Sequence, residues 1–150
     1  MCYSVYMSSD SPEDLSARNS ELVRFEKVKD LSIDPCARLL EFSHRWYVGS
    51  KSGCSCTFRH LPSSDLGFAE PVDWYPEEEP ALAATDELYS VLSSLLSSEY
   101  RVDLVDLWES PEPESVTTLD VSLDEVSASE FRLFENHKFI LHKTKLQSST

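Results

Sequence analysis

Between Thr85 and Tyr100 the chain carries an apolar stripe that has to be covered by something else. Leu88, Val91, Leu92, Leu95, Leu96 and Tyr100 recur at the i, i+3, i+4, i+7 spacing of a helix, while Ser90, Ser93, Ser94, Ser97 and Ser98 lie mostly opposite. Serine is an indifferent helix former, so packing of the stripe must hold this helix together. Thr85 is its expected cap, and Asp86 and Glu87 suit the positive end of its dipole.

The remaining segments supply a sheet for that stripe. Met1–Met7, Leu22–Val28 and Val102–Trp108 each have strand character. Val102–Trp108 is apolar on both sides, which predicts a central position. Arg45–Gly49 and Cys54–Arg59 predict a hairpin around Ser50-Lys51-Ser52-Gly53, with glycines where a tight turn uses them. Val116–Val121 is an expected edge strand, and Phe131–Phe134 with Lys138–Lys143 an expected closing hairpin. Short helices are expected after Asp10-Ser-Pro, from Asp34-Pro35 to about Phe42, and at Ser122-Leu-Asp-Glu125, which has capping-box spacing. The order of elements lacks regular βαβ alternation and a glycine-rich nucleotide turn. The expectation is an α+β fold: a single compact domain over 1–143, a mixed or mainly antiparallel sheet, one long amphipathic helix at 85–100 and two or three short ones. A Pro-rich acidic connection at 61–84 and a frayed polar tail at 144–150 complete the plan.

At 150 residues, 41% of them hydrophobic, the chain can bury a real core without covalent staples. Cys2, Cys36, Cys54 and Cys56 are therefore expected as reduced thiols, in a soluble protein of the cytoplasm. No run approaches the roughly 20 apolar residues of a membrane span, and the start lacks the pattern of a secretory signal.

Charge is distributed unevenly. Residues 1–60 are net zero, whereas 61–135 carry 19 acidic residues against Arg101 and Arg132, and the whole chain is −14. Such a chain repels phosphate backbones, which excludes nucleic-acid binding by direct phosphate contact, and attracts a basic protein. Simple solubility is the plainer reading of the same charge.

Four sets of residues are candidates for chemistry. Cys54 and Cys56, two apart in a strand, would share a face near His60 and His44. Three readings are open for them: core packing with Phe58, a zinc site using Cys54, Cys56, His60 and His44, or a reactive thiol with His60 as base. Arg45, Lys51, Arg59 and His60 would lie together on the same hairpin, facing an anion or the chain's own carboxylates. Cys2 would join a thiol to an α-amine if Met1 were removed, and in that single residue the start resembles class II glutamine amidotransferases. Those enzymes also need an Asn-Gly pair for the oxyanion, and this chain has none. Trp74, Tyr75, Glu77, Glu78, Glu79 and Trp108 are the expected anchors for a partner, aromatic residues dominating binding hot spots. The favoured function is non-catalytic protein binding, of an adaptor, inhibitor or immunity type. The alternative is a small thiol enzyme or zinc protein centred on the Cys54-x-Cys56 hairpin.

Overall fold

Eight strands and one 19-residue helix make up the regular structure of the described residues in the computed structural model. Those residues are 3–29, 38–50, 54–62, 64–65, 67–108 and 113–143. The expected helix from Asp34-Pro35, Cys2, Cys36, the turn at 51–53, the acidic break at 110–112 and the tail from 144 lie wholly or mainly outside them. In chain order the elements are β1 (Tyr3–Ser9), β2 (Val23–Lys27), β3 (His44–Ser50), β4 (His60–Leu61), α1 (Glu79–Ser97), β5 (Val102–Trp108), β6 (Thr117–Ser122), β7 (Leu133–Phe134) and β8 (His137–His142). Short 3-10 turns lie at Leu15–Arg18, Pro113–Ser115 and Leu123–Glu125.

Six strands form one sheet in the order β2-β3-β1-β5-β8-β6, antiparallel except for the β6–β8 pair. The result is a single α+β domain. Cross-strand partners share a face, so the register names the core: Trp46, Met7, Leu104, Phe139 and Leu119 form one row, and Val102, Leu141 and Val121 another. α1 lies over these rows with Leu88, Val91, Leu92, Leu95 and Leu96 buried, as its stripe requires. A smaller cluster of Tyr6, Leu40, Val105 and Leu107 closes the opposite face, which makes β5 buried on both sides. No helix of the described residues is long and apolar enough to cross a membrane.

α1 begins earlier than Thr85. Pro80 sits in its first turn, where a missing N–H is harmless, and Ala81–Ala84 continue it. Thr85 is interior and buried; its hydroxyl donates to the Ala81 carbonyl and accepts from the Arg59 amide. The helix also stops before Tyr100. Glu99 N–H bonds to the Leu96 carbonyl and Tyr100 N–H to that of Leu95, with Glu99 at φ +67°. This is the Schellman termination, with glutamate where glycine is usual.

Neither expected hairpin forms. Both edges of β3 are taken, by β1 and β2, so Cys54–Arg59 has no edge to pair with. That segment is a loop closed on Ser50, whose amide and hydroxyl both donate to the Cys54 carbonyl. Likewise β7 does not pair with β8. It pairs in parallel with β4, and β8 is inserted between β5 and β6. In each case a pairing partner distant in sequence displaces the adjacent one.

Two outcomes follow. Replacing Glu99 by Gly relieves a left-handed residue and a carboxylate at the negative end of α1, and should raise unfolding free energy by about 0.5–1 kcal/mol in urea titrations. Asp103 is fully buried, and burial raises its carboxyl above the ordinary range even though the Ser8 hydroxyl, the Glu41 amide and the Lys138 ammonium act the other way. A carboxyl raised on folding contributes stability below about pH 4 that is lost as pH rises through its folded value. Asn cannot titrate, so the Asp103→Asn deficit should be larger near about pH 4 than near about pH 7. Equal deficits would contradict this.

Candidate functional site

Arg59 organises the region where the candidates were expected. Its side chain is 2% exposed and lies bidentate on Glu77, with Nε to Oε1 and Nη2 to Oε2 both 2.8 Å. Nη1 donates to the carbonyls of Ser129 and Phe131, and Nη2 also to that of Ala69. All the guanidinium donors are thus engaged. Arg132 lies 3.7 Å from the same carboxylate and is equally buried. Burial, and then the Arg59 charge beside it, lower its pKa from the usual value. Arg59 is therefore no surface cation grouped with Arg45 for an anion; it serves the chain's own carboxylate, and Arg45 donates to the Leu40 carbonyl. Glu77 is 6% exposed at its side chain, so it is an internal staple and not the partner contact expected from sequence.

That staple holds the connection before α1 against the body and shapes a groove of about 350 Å³ beside it. Glu79, Leu82, Ala83 and Asp86 of α1 line it together with Glu70, Pro71, Ala128 and Ser129. The Ser129 hydroxyl donates to Glu70 Oε2 at 2.7 Å, linking two of these residues. The lining mixes the apolar Pro71, Leu82, Ala83 and Ala128 with the carboxylates of Glu70, Glu79 and Asp86, and includes the buried Arg59. Just after the groove the chain makes a tight turn, with the Tyr75 amide on the Val72 carbonyl, and presents Trp74 at 70% exposure. Trp74 is the exposed large hydrophobic residue among those described. Tyr75 is half-buried and packs on the core, its ring 6.4 Å from that of Trp74. Glu78 and Glu79 are exposed at the start of α1. Trp108 is half-buried at the end of β5, with its ring 4.7 Å from Tyr3. The groove was hidden in the sequence. Residues 79, 82, 83 and 86 stand at i, i+3, i+4 and i+7, but only a helix started at Glu79 brings them together.

The thiols are turned the other way from the expected core face. Cys54 is half-buried and Cys56 exposed, while Ser55 between them is fully buried. The Ser55 hydroxyl donates to the Val48 carbonyl and accepts from the Val5 amide, splicing the end of the β1–β3 ladder. A hydroxyl can satisfy both buried backbone groups; a thiol does so poorly. Of the expected apolar face only Phe58 is buried.

His60 lies inside the fold. Asp106 stands in an otherwise apolar position, cross-strand from Val5, and burial raises its carboxyl while His60 holds it down. His60 Nδ1 is 2.7 Å from Asp106 Oδ2, and Nε2 is 2.6 Å from the Ser55 carbonyl. A carbonyl only accepts, so Nε2 carries a hydrogen and has no lone pair for a thiol. The Tyr3 ring stacks on the imidazole at 3.8 Å, its hydroxyl donates to Glu135, and burial raises its pKa. Cys56 and His60 border one small pocket of about 230 Å³, but in this arrangement His60 is not a base for it. His44 belongs to a separate groove, where its Nδ1 lies 3.0 Å from Lys27 Nζ. Among the described residues no group of three or more His, Cys, Asp or Glu side chains is placed to hold a metal ion, so the expected zinc set is not assembled.

Glu77→Ala leaves two buried guanidiniums without their carboxylate and should lower unfolding free energy by about 3–5 kcal/mol. Glu78→Ala, one residue away and exposed, should change it by no more than about 0.5 kcal/mol. Similar effects of the two in urea unfolding would show that Glu77 is not the staple.

Compared with protein-family models, with curated proteins and with solved structures, the chain finds no match in any of the three.

Proposed function

We propose that this protein is a non-catalytic binding protein, of an adaptor, inhibitor or immunity type, that docks a basic protein partner through the groove beside α1 and the exposed Trp74. The observation that supports this reading is a groove lined both by Pro71, Leu82, Ala83 and Ala128 and by the carboxylates of Glu70, Glu79 and Asp86, together with a tryptophan left in solvent shortly after Pro71 in the chain. A lysine or arginine side chain has the matching form, an apolar stem ending in a cation. A solvent-exposed tryptophan supplies the large contact area typical of binding anchors.

The site's charge supports the same reading. Arg59 is engaged by Glu77 and by backbone carbonyls, so the groove's remaining carboxylates have no guanidinium left from it. Complementary charge of this kind speeds encounter and sharpens partner choice. Reduced thiols suit a protein of the cytoplasm. The thiol-enzyme alternative gains little from the geometry, because His60 has both ring nitrogens engaged.

The test uses the whole protein and a blocked arginine-rich peptide, with binding followed by titration calorimetry at about 10 mM and about 150 mM salt. Binding should weaken strongly with salt. Trp74→Ala should weaken it about tenfold, and Glu79→Gln with Asp86→Asn should lower both the affinity and its salt dependence. Binding that is indifferent to all three substitutions, or none at the lower salt, would overturn the reading.

A further inference from the structure

β6 is the outermost strand of the sheet, and its outer edge is unpaired among the described residues. The Thr117 amide bonds to the Asn136 carbonyl, so Thr117, Leu119 and Val121 turn their backbone groups toward β8. Backbone direction alternates along a strand, so the N–H and C=O groups of Thr118 and Asp120 point outward. Thr117, Thr118 and Asp120 are exposed, and Leu119 and Val121 anchor the strand to the core. An exposed edge of this kind is a template for another strand.

Edge strands are commonly guarded by lysine or proline, which deter unwanted pairing. Here the charge within the strand is Asp120, 77% exposed, and Glu114, Asp124 and Glu125 stand exposed on either side of it. His142 approaches Asp120 to 4.0 Å. Lys138, on the neighbouring strand, is engaged by Glu41 at 2.8 Å and lies 3.9 Å from Asp103. A second copy of this chain would bring another net charge of −14 and its own acidic edge, so self-pairing is opposed. A segment bearing cations is favoured.

The chain also leads from β6 to the groove. Immediately after β6, the carbonyls of Leu123 and Val126 accept the hydroxyl of Tyr89 on α1, and Ala128 and Ser129 then line the groove. Resting on the basic-partner reading above, we propose that an extended, cationic segment of the partner adds to β6 as a further strand, bonding to the outward backbone groups of Thr118 and Asp120. Backbone bonds would provide adhesion, and Asp120 with its acidic neighbours would select for cations.

The probe is a blocked peptide of alternating lysine and valine, tested on the whole isotope-labelled protein beside the same peptide N-methylated at alternate backbone nitrogens. The methylated peptide keeps its charge but cannot form a ladder. Amide exchange at Thr118 and Asp120 should slow about tenfold or more with the plain peptide only. Thr118→Pro removes one outward donor at a place where an edge tolerates proline, and should abolish the protection. Equal binding of both peptides, or binding that leaves these two amides unprotected, would overturn the inference. Glu79→Gln with Asp86→Asn separates the two sites. Protection at Thr118 that survives those substitutions, while they leave affinity unchanged, would sink the groove and spare the edge; affinity loss without any edge protection would do the reverse.

Discussion

The contact between Arg59 and Glu77 is the constraint that ties the connection before α1 to the body of the fold. Two buried ions are costly to bring together, and the arrangement holds because the guanidinium finds a partner for every donor. Those partners come from Ala69, Glu77, Ser129 and Phe131, so one side chain gathers segments otherwise distant in sequence. The backbone of the same residue adds two more ties, since the Arg59 amide reaches Thr85 on α1 and its carbonyl accepts from Leu133 at the start of β7. With Glu77 pinned, the helix begins two residues later at Glu79, and that start sets the wall of the groove.

The uneven charge along the chain acquires a physical meaning in this arrangement. Some carboxylates of residues 61–135 are structural: Glu77 lies between two arginines, Asp106 against His60, and Asp103 against Ser8, the Glu41 amide and Lys138. They face inward because a cation or polar hydrogen meets each of them there. Others, among them Glu78, Glu79, Asp86, Asp120, Asp124 and Glu125, are exposed, and they flank the groove beside α1 and the open edge of β6. The surface excess is the remainder after the interior has been neutralised.

Much of the secondary structure was legible in the residues. The stripe from Leu88 to Leu96, the doubly apolar β5 and the alternation in β2 are each set within a few residues, and all appear in place. The edge position expected for Val116–Val121 is the one β6 takes. The site was far less legible. Trp74 is exposed, as a surface residue must be, but Glu77 carried the same local signal as Glu78 and Glu79 and lies on the inside. Nothing in a run of three glutamates says which of them an arginine 18 residues earlier will engage.

Local pattern alone, then, determined that the chain has strands of given polarity, a helix with one apolar face and a strongly acidic second half. Tertiary structure decided which strand pairs with which, which cysteine neighbour is buried and which carboxylates are internal. The physical reason is range. Periodicity is a property of neighbouring residues, whereas a strand edge, a buried amide or a guanidinium donor is satisfied by whatever the whole fold brings to it. β3 shows this directly: its sequence neighbour at Cys54–Arg59 was available, but β1 and β2 took both edges, and the intervening Ser55 was drawn in to complete the ladder.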